Sequence, residues 1–142
     1  MEKKYYISYG SNLNKAQMER RCPTAVVAGT SVLRDYRLIF WSVATIEPWE
    51  GASVPVAIWE IDDECEESLD VYEGFPLLYR KEYLDVDLVG ETVRAMVYIM
   101  NHGSPTAPNE YYYNTIRKGY FDMGLDTAPL EKALEDTIYN VD

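Results

Sequence analysis

The chain has 142 residues, with 13 basic against 24 acidic side chains and a formal net charge of −11. That length suits one domain, 1–142, with a core of its own. The charge argues against nucleic acid, where Lys and Arg must replace condensed counterions, and against an anionic membrane surface; an acidic surface keeps a protein soluble.

Lys4–Tyr9 reads as a first strand that breaks at Gly10. Ser11, Asn12 and Leu13 follow, and a short helix over Asn14–Arg21 can be capped by Asn12 or Asn14. Ser31–Phe40 and Val54–Ile61 have the β-branched and aromatic content of strands. Asp63-x-x-Glu66 predicts the capped start of a helix running to about Tyr72, and Gly74 can stop it. Glu82–Val89 and Thr92–Ile99 flank the hairpin signal Gly90-Glu91. The last third predicts a helix over Glu110–Met123, ended by Gly124, and a final helix with Pro129 in its first turn. Leu130, Ala133, Leu134 and Ile138 form one apolar face of that helix. The order of elements predicts an α+β fold with a mixed or antiparallel sheet.

Met1-Glu2-Lys3-Lys4 leads into an apolar run too short for a signal peptide, and no stretch approaches a membrane span. Cys22 and Cys65 lie far apart without CxxC spacing, and they read as reduced structural thiols rather than a disulfide or metal pair. These features predict a cytoplasmic protein. They leave its oligomeric state open.

The lone histidine, His102, sits in a loop flanked by Gly, Ser and Pro, and neither a HExxH motif nor a His/Cys cluster is present. Metal hydrolysis and a Ser-His-Asp triad are therefore disfavoured, as is a P-loop or GxGxxG nucleotide site. Any acid–base group is expected to be a carboxylate. Glu73 stands out among them because Tyr72, Phe75, Pro76, Leu77, Leu78 and Tyr79 make its surroundings apolar, which raises a carboxyl pKa by desolvation. The loop Tyr9-Gly10-Ser11-Asn12 offers a second device. Glycine allows close backbone approach, and the N–H, hydroxyl and amide groups beside it can face an anion or a carbonyl oxygen.

The loop Tyr9-Gly10-Ser11-Asn12-Leu13 and the segment Leu69-Asp70-Val71-Tyr72-Glu73-Gly74-Phe75-Pro76, followed by Tyr79, together resemble the gamma-glutamylcyclotransferase family, also called AIG2-like. The resemblance continues through Ala44-Thr45-Ile46, Trp59, Tyr98 and the stretch Pro108 to Leu125. It implies a small curled sheet or partial barrel with flanking helices and a cavity at one end. It also implies Glu73 as catalytic acid–base residue, with Tyr9, Gly10, Ser11, Asn12, Leu13, Tyr79, Tyr98 and Tyr112 around the substrate. Tyr111 or Tyr113 replaces Tyr112 if the helix register differs. Arg80 and Lys81 read as solvated charges.

The implied reaction closes the γ-glutamyl group of an amino acid or amine derivative to 5-oxoproline and releases the amine. The substrate's own amine is the nucleophile, so neither a cofactor nor a metal is expected. Two alternatives stay open: a γ-glutamylamine cyclotransferase, and a non-catalytic small-molecule-binding module with the same pocket. The compact spacing from Glu73 to Tyr79 resembles bacterial members, which leaves the leaving group open.

Overall fold

The computed structural model describes residues 3–139. Five strands and four helices form an α+β fold: β1 (Lys4–Ser8), α1 (Lys15–Arg21), β2 (Val26–Trp41), β3 (Val43–Ile61), α2 (Asp63–Glu73), β4 (Tyr79–Leu88), β5 (Glu91–Met100), α3 (Glu110–Met123) and α4 (Ala128–Tyr139). The sheet order is β2-β3-β1-β5-β4. All neighbours are antiparallel except β1 and β5, which run parallel.

Central strands must be apolar on both faces, and β1 and β5 are. Ile7, Val97 and Ile99 join one cluster with Ile46, Val54, Ile116, Tyr120 and Leu130, under α3 and α4. Their strand neighbours Tyr6, Met96, Tyr98 and Met100 point the other way, onto Met18, Trp59 and Leu69 beside α1 and α2. The period of two thus builds two cores from one sheet. Leu130, Ala133 and Leu134 of α4 pack as expected, whereas Ile138 is half exposed.

The sheet is open but strongly curled. A Cβ placed on Gly29 of β2 would lie 2.8 Å from Leu88 Cδ1 of β4, so the two edge strands approach where glycine removes the side chain. Strands β2 and β3 run longer than predicted, because residues 26–30 of β2 pair with the end of β3 and residues 43–48 of β3 pair back onto residues 36–41. Ser42 turns the hairpin with φ 69°. Asp35 forms a bulge at φ 64°, and its carboxylate accepts a 3.0 Å hydrogen bond from Gly51 N–H. Such bulges accommodate residues 49–52, which fall between the paired Pro48 and Ser53.

Helix ends follow local chemistry closely. Asn14 rather than Asn12 caps α1 by accepting from Gln17 N–H. Helix α2 is capped by Asp62, one residue earlier than expected, and Gly74 closes it at φ 67°. Asn109 and Gly124 bound α3.

The cysteines correct a sequence expectation. Cys22 follows α1, Cys65 lies in the first turn of α2, and the two form a disulfide with Cα atoms 5.0 Å apart. Spacing in sequence, 43 residues, hid a proximity created by the packing of α1 against α2. The thiol argument for a reducing compartment is thereby removed. No helix among the described residues is long and apolar enough to cross a membrane.

Candidate active site

The loop after β1 is a single 3-10 turn over Ser11–Leu13, held by a 3.0 Å bond from Leu13 N–H to Gly10 O. The N–H groups of Ser11 and Asn12 open this turn and have no partner inside it. Helix α3 fixes the loop from behind. A Cβ on Gly119 would stand 2.6 Å from Asn14 N and 2.7 Å from the Leu13 carbonyl carbon, so only glycine permits this contact. Asn14 Nδ2 donates to Thr115 O at 3.1 Å, and Lys15 N–H donates to Asp122 Oδ2 at 3.1 Å.

Across from this loop, the last residue of α2 is Glu73. Gly74 then reverses the chain in the left-handed region, where a side chain is disfavoured. The following turn is tied down by Phe75 N–H to Asp70 O, Leu78 N–H to Gly74 O, and Asn101 Nδ2 to the carbonyls of Pro76 and Leu77.

Between loop and helix end lies a cavity of about 170 Å³. Gly10, Ser11 and Asn12 form one side of it; Tyr72, Glu73 and Leu78 form another. Tyr6, Tyr9, Tyr79, Tyr98 and Tyr112 complete the lining with Ile7, Val43 and Ala44. Every expected site residue therefore meets at one place except Leu13. That side chain is fully buried in the core beneath the loop and lines nothing.

Burial among these rings pushes the Glu73 carboxyl up to about 7, with Arg21 pulling in the opposite direction. No hydrogen bond or ion pair reaches that carboxyl among the described residues. Desolvation likewise raises the phenols of Tyr6, Tyr9, Tyr79, Tyr98 and Tyr112, so all five stay protonated at neutral pH.

Most of those phenols are already engaged. Tyr9 Oη donates to Tyr98 O at 2.5 Å, Tyr79 Oη to Ala44 O at 2.7 Å, and Tyr98 Oη to Asp70 Oδ1 at 2.6 Å. Tyr112 and Tyr6 differ, since their oxygens accept, from Ala44 N–H at 2.9 Å and from Asn12 Nδ2 at 3.1 Å, and their own protons can still be given. The register of α3 thus selects Tyr112; Tyr111 is exposed, and Tyr113 packs against the main core and Phe40.

Arg21 escaped the sequence reading. Its Nη1 donates to Asn12 Oδ1 at 2.8 Å, and its guanidinium stacks 3.5 Å from the Tyr72 ring centroid. Asn12 Nδ2 continues to Tyr6 Oη at 3.1 Å, and Tyr72 Oη meets Ser11 Oγ at 2.9 Å. One cation therefore ties both walls together. The available signal was an Arg closing the helix that begins at the Gly10 loop. Arg80 and Lys81 are paired instead, with Glu82 and with Glu66 and Asp70 respectively. His102 is an exposed loop residue.

A family model for "Gamma-glutamyl cyclotransferase, AIG2-like" matches residues 6–122, a span that contains every residue of this cavity. The chain belongs to this enzyme family. The gamma-glutamylcyclotransferase of Mus musculus is 27% identical over 94% of this chain and 80% of its own length. That of Bos taurus is 26% identical over 89% and 73%. A solved gamma-glutamyl cyclotransferase structure superposes with a TM-score of 0.81 at 26% identity, covering 97% of this chain and 88% of its own.

Proposed function

We propose that this family member cyclises the γ-glutamyl group of a small-molecule substrate to 5-oxoproline and releases the attached amine, with Glu73 as general acid–base residue. The observation that carries this reading is one partly desolvated carboxyl facing a loop of hydrogen-bond donors across a cavity of about 170 Å³.

The chemistry needs little else. The substrate's α-ammonium gives a proton to ionised Glu73, and the freed amine attacks the γ-carbonyl carbon. A C–N bond forms, and the carbonyl oxygen becomes an oxyanion. Glu73 then returns the proton to the departing nitrogen and takes the second proton from the ring nitrogen, which became cationic on attack. The old C–N bond breaks, the carbonyl reforms as the neutral lactam, and the released amine takes up that second proton. Intramolecular attack in a held geometry is worth about 7–11 kcal/mol. A positioned proton carrier adds about 10²–10⁴-fold.

A carboxyl near pKa 7 suits both proton steps, because it accepts and gives a proton with little bias at neutral pH. The N–H groups of Ser11 and Asn12 and the hydroxyl of Tyr112 serve the glutamyl carboxylate or the oxyanion. Tyr9, Tyr79 and Tyr98, with hydroxyls bound inside the protein, shape the wall and exclude water.

The test is 5-oxoproline release from γ-glutamyl amino acids, γ-glutamyl-ε-lysine, γ-glutamyl amines and glutathione. Release is the expected result, and the preferred compound names the leaving group. Thermal stabilisation by these compounds without any release would instead identify a binding module.

A further inference from the structure

The cavity holds little more than a glutamyl head, since sites that enclose a drug-sized ligand measure about 300–1,000 Å³. The departing group must therefore lie at the mouth. Two residues belong to both the cavity lining and the exposed surface there: Tyr72, 42% exposed, and Leu78, 48% exposed. Phe75, 38% exposed, sits beside them in the same turn and packs edge-on against Tyr98. A contiguous exposed apolar patch that adjoins a concave site is a feature of ligand-binding grooves. This turn is also rigidly bonded, through Asn101 and the α2 end, so the exposure is part of the fold.

Charge points the same way. Arg21 is engaged by Asn12 and Tyr72, Lys81 by Glu66 and Asp70, and Arg80 by Glu82 and Met100 O. Lys81 and Arg80 are thus already neutralised by carboxylates, and Arg21 spends one N–H on Asn12 in the loop on the glutamyl side. The turn from Gly74 to Leu78 carries no cation of its own for a carboxylate on the departing group.

Resting on the cyclisation reading above, we infer that this mouth is a subsite for an apolar, uncharged leaving amine, with Leu78 and Tyr72 as its contact surfaces. Leu78 then decides selectivity through the area it removes from water around the departing alkyl group, while the glutamyl head is held deeper in the cavity.

The experiment compares kcat/KM for γ-glutamyl isopentylamide, γ-glutamyl methylamide and γ-glutamyl-leucine, in native protein, Leu78→Ser and Leu78→Met. In native protein the isopentylamide should exceed the methylamide by about tenfold, the lower end of what a few methylenes discriminate, and should also exceed γ-glutamyl-leucine. Leu78→Ser should collapse the isopentyl-to-methyl ratio toward one, and Leu78→Met should keep it. An unchanged ratio in Leu78→Ser, or a native preference for γ-glutamyl-leucine, would overturn the subsite while leaving the cyclisation intact. No 5-oxoproline from any of the compounds would overturn the reaction and the subsite together.

Discussion

Glu73 holds its proton up to about pH 7 because the rings around it displace water, and Arg21 is the cation that limits this rise. In its proposed role as base, Glu73 must be ionised in the free protein, so kcat/KM should climb with pH along a limb centred near 7. Arg21→Met removes the opposing charge and should move that limb to higher pH, whereas Arg21→Lys should hold it closer to the native position. A limb that ignores Arg21 in pH-rate profiles would contradict the electrostatic link. Stability carries the same signature with a definite sign. A carboxyl whose folded pKa is raised stabilises the fold fully below its unfolded value of 4.5 and loses that contribution as pH rises through about 7. Urea unfolding should therefore find Glu73→Gln more stable than native at about pH 8, by on the order of 1–3 kcal/mol, and little different at about pH 4. Gly10 makes a separate case. An added Cβ would lie an ordinary 3.4 Å from Ala44 Cβ and 3.7 Å from Tyr112 Oη, so a methyl fits. Gly10→Leu should then fold but bind substrate more weakly, by filling the cavity; an unchanged KM would remove the loop from the site.

Between elements, the decisive contacts are those that no local pattern announces. Gly119 lets α3 press on the backbone of the Leu13–Asn14 loop. Gly119→Ala should cost about 1–3 kcal/mol by overpacking and raise KM, because the loop shifts with the helix; a variant with native melting and KM would refute that coupling. The Cys22–Cys65 bond pins α1 to α2, the elements that carry Arg21 and Glu73. Cys22→Ser should lower stability by about 2–4 kcal/mol, and a reductant should affect the native protein but not the variant. Helix ends were mostly legible because caps act within a few residues: Asn14, Gly74 and Gly124 each sit where a side-chain acceptor or a left-handed backbone is needed, whereas the caps Asp62 and Asn109 were not singled out. Gly119, Arg21 and the cysteine pair were not legible, since their partners lie on other elements.

For the whole molecule, the α+β class and the curled sheet follow the expectation drawn from element order and from family resemblance. The parallel pairing of β1 with β5 is a property of the complete topology, and no segment of the chain encodes it alone. That topology brings the end of β1, the start of β3 and the first residue of β4 to one rim, where α2 delivers Glu73 and α3 delivers Tyr112. The cavity is thus a meeting point of segments spread over a hundred residues. The loop, the glutamate and its apolar neighbours Tyr72 and Leu78 were visible in the sequence, but the closure of Tyr6 over them, and the exclusion of Phe75, Pro76 and Leu77 from the lining, were not. The most direct test of Glu73 as the proton carrier is 5-oxoproline formation by native protein and Glu73→Gln, with substrate affinity measured on both. Loss of turnover by at least about 10²-fold with affinity retained is the predicted result. Near-native turnover in Glu73→Gln would contradict it.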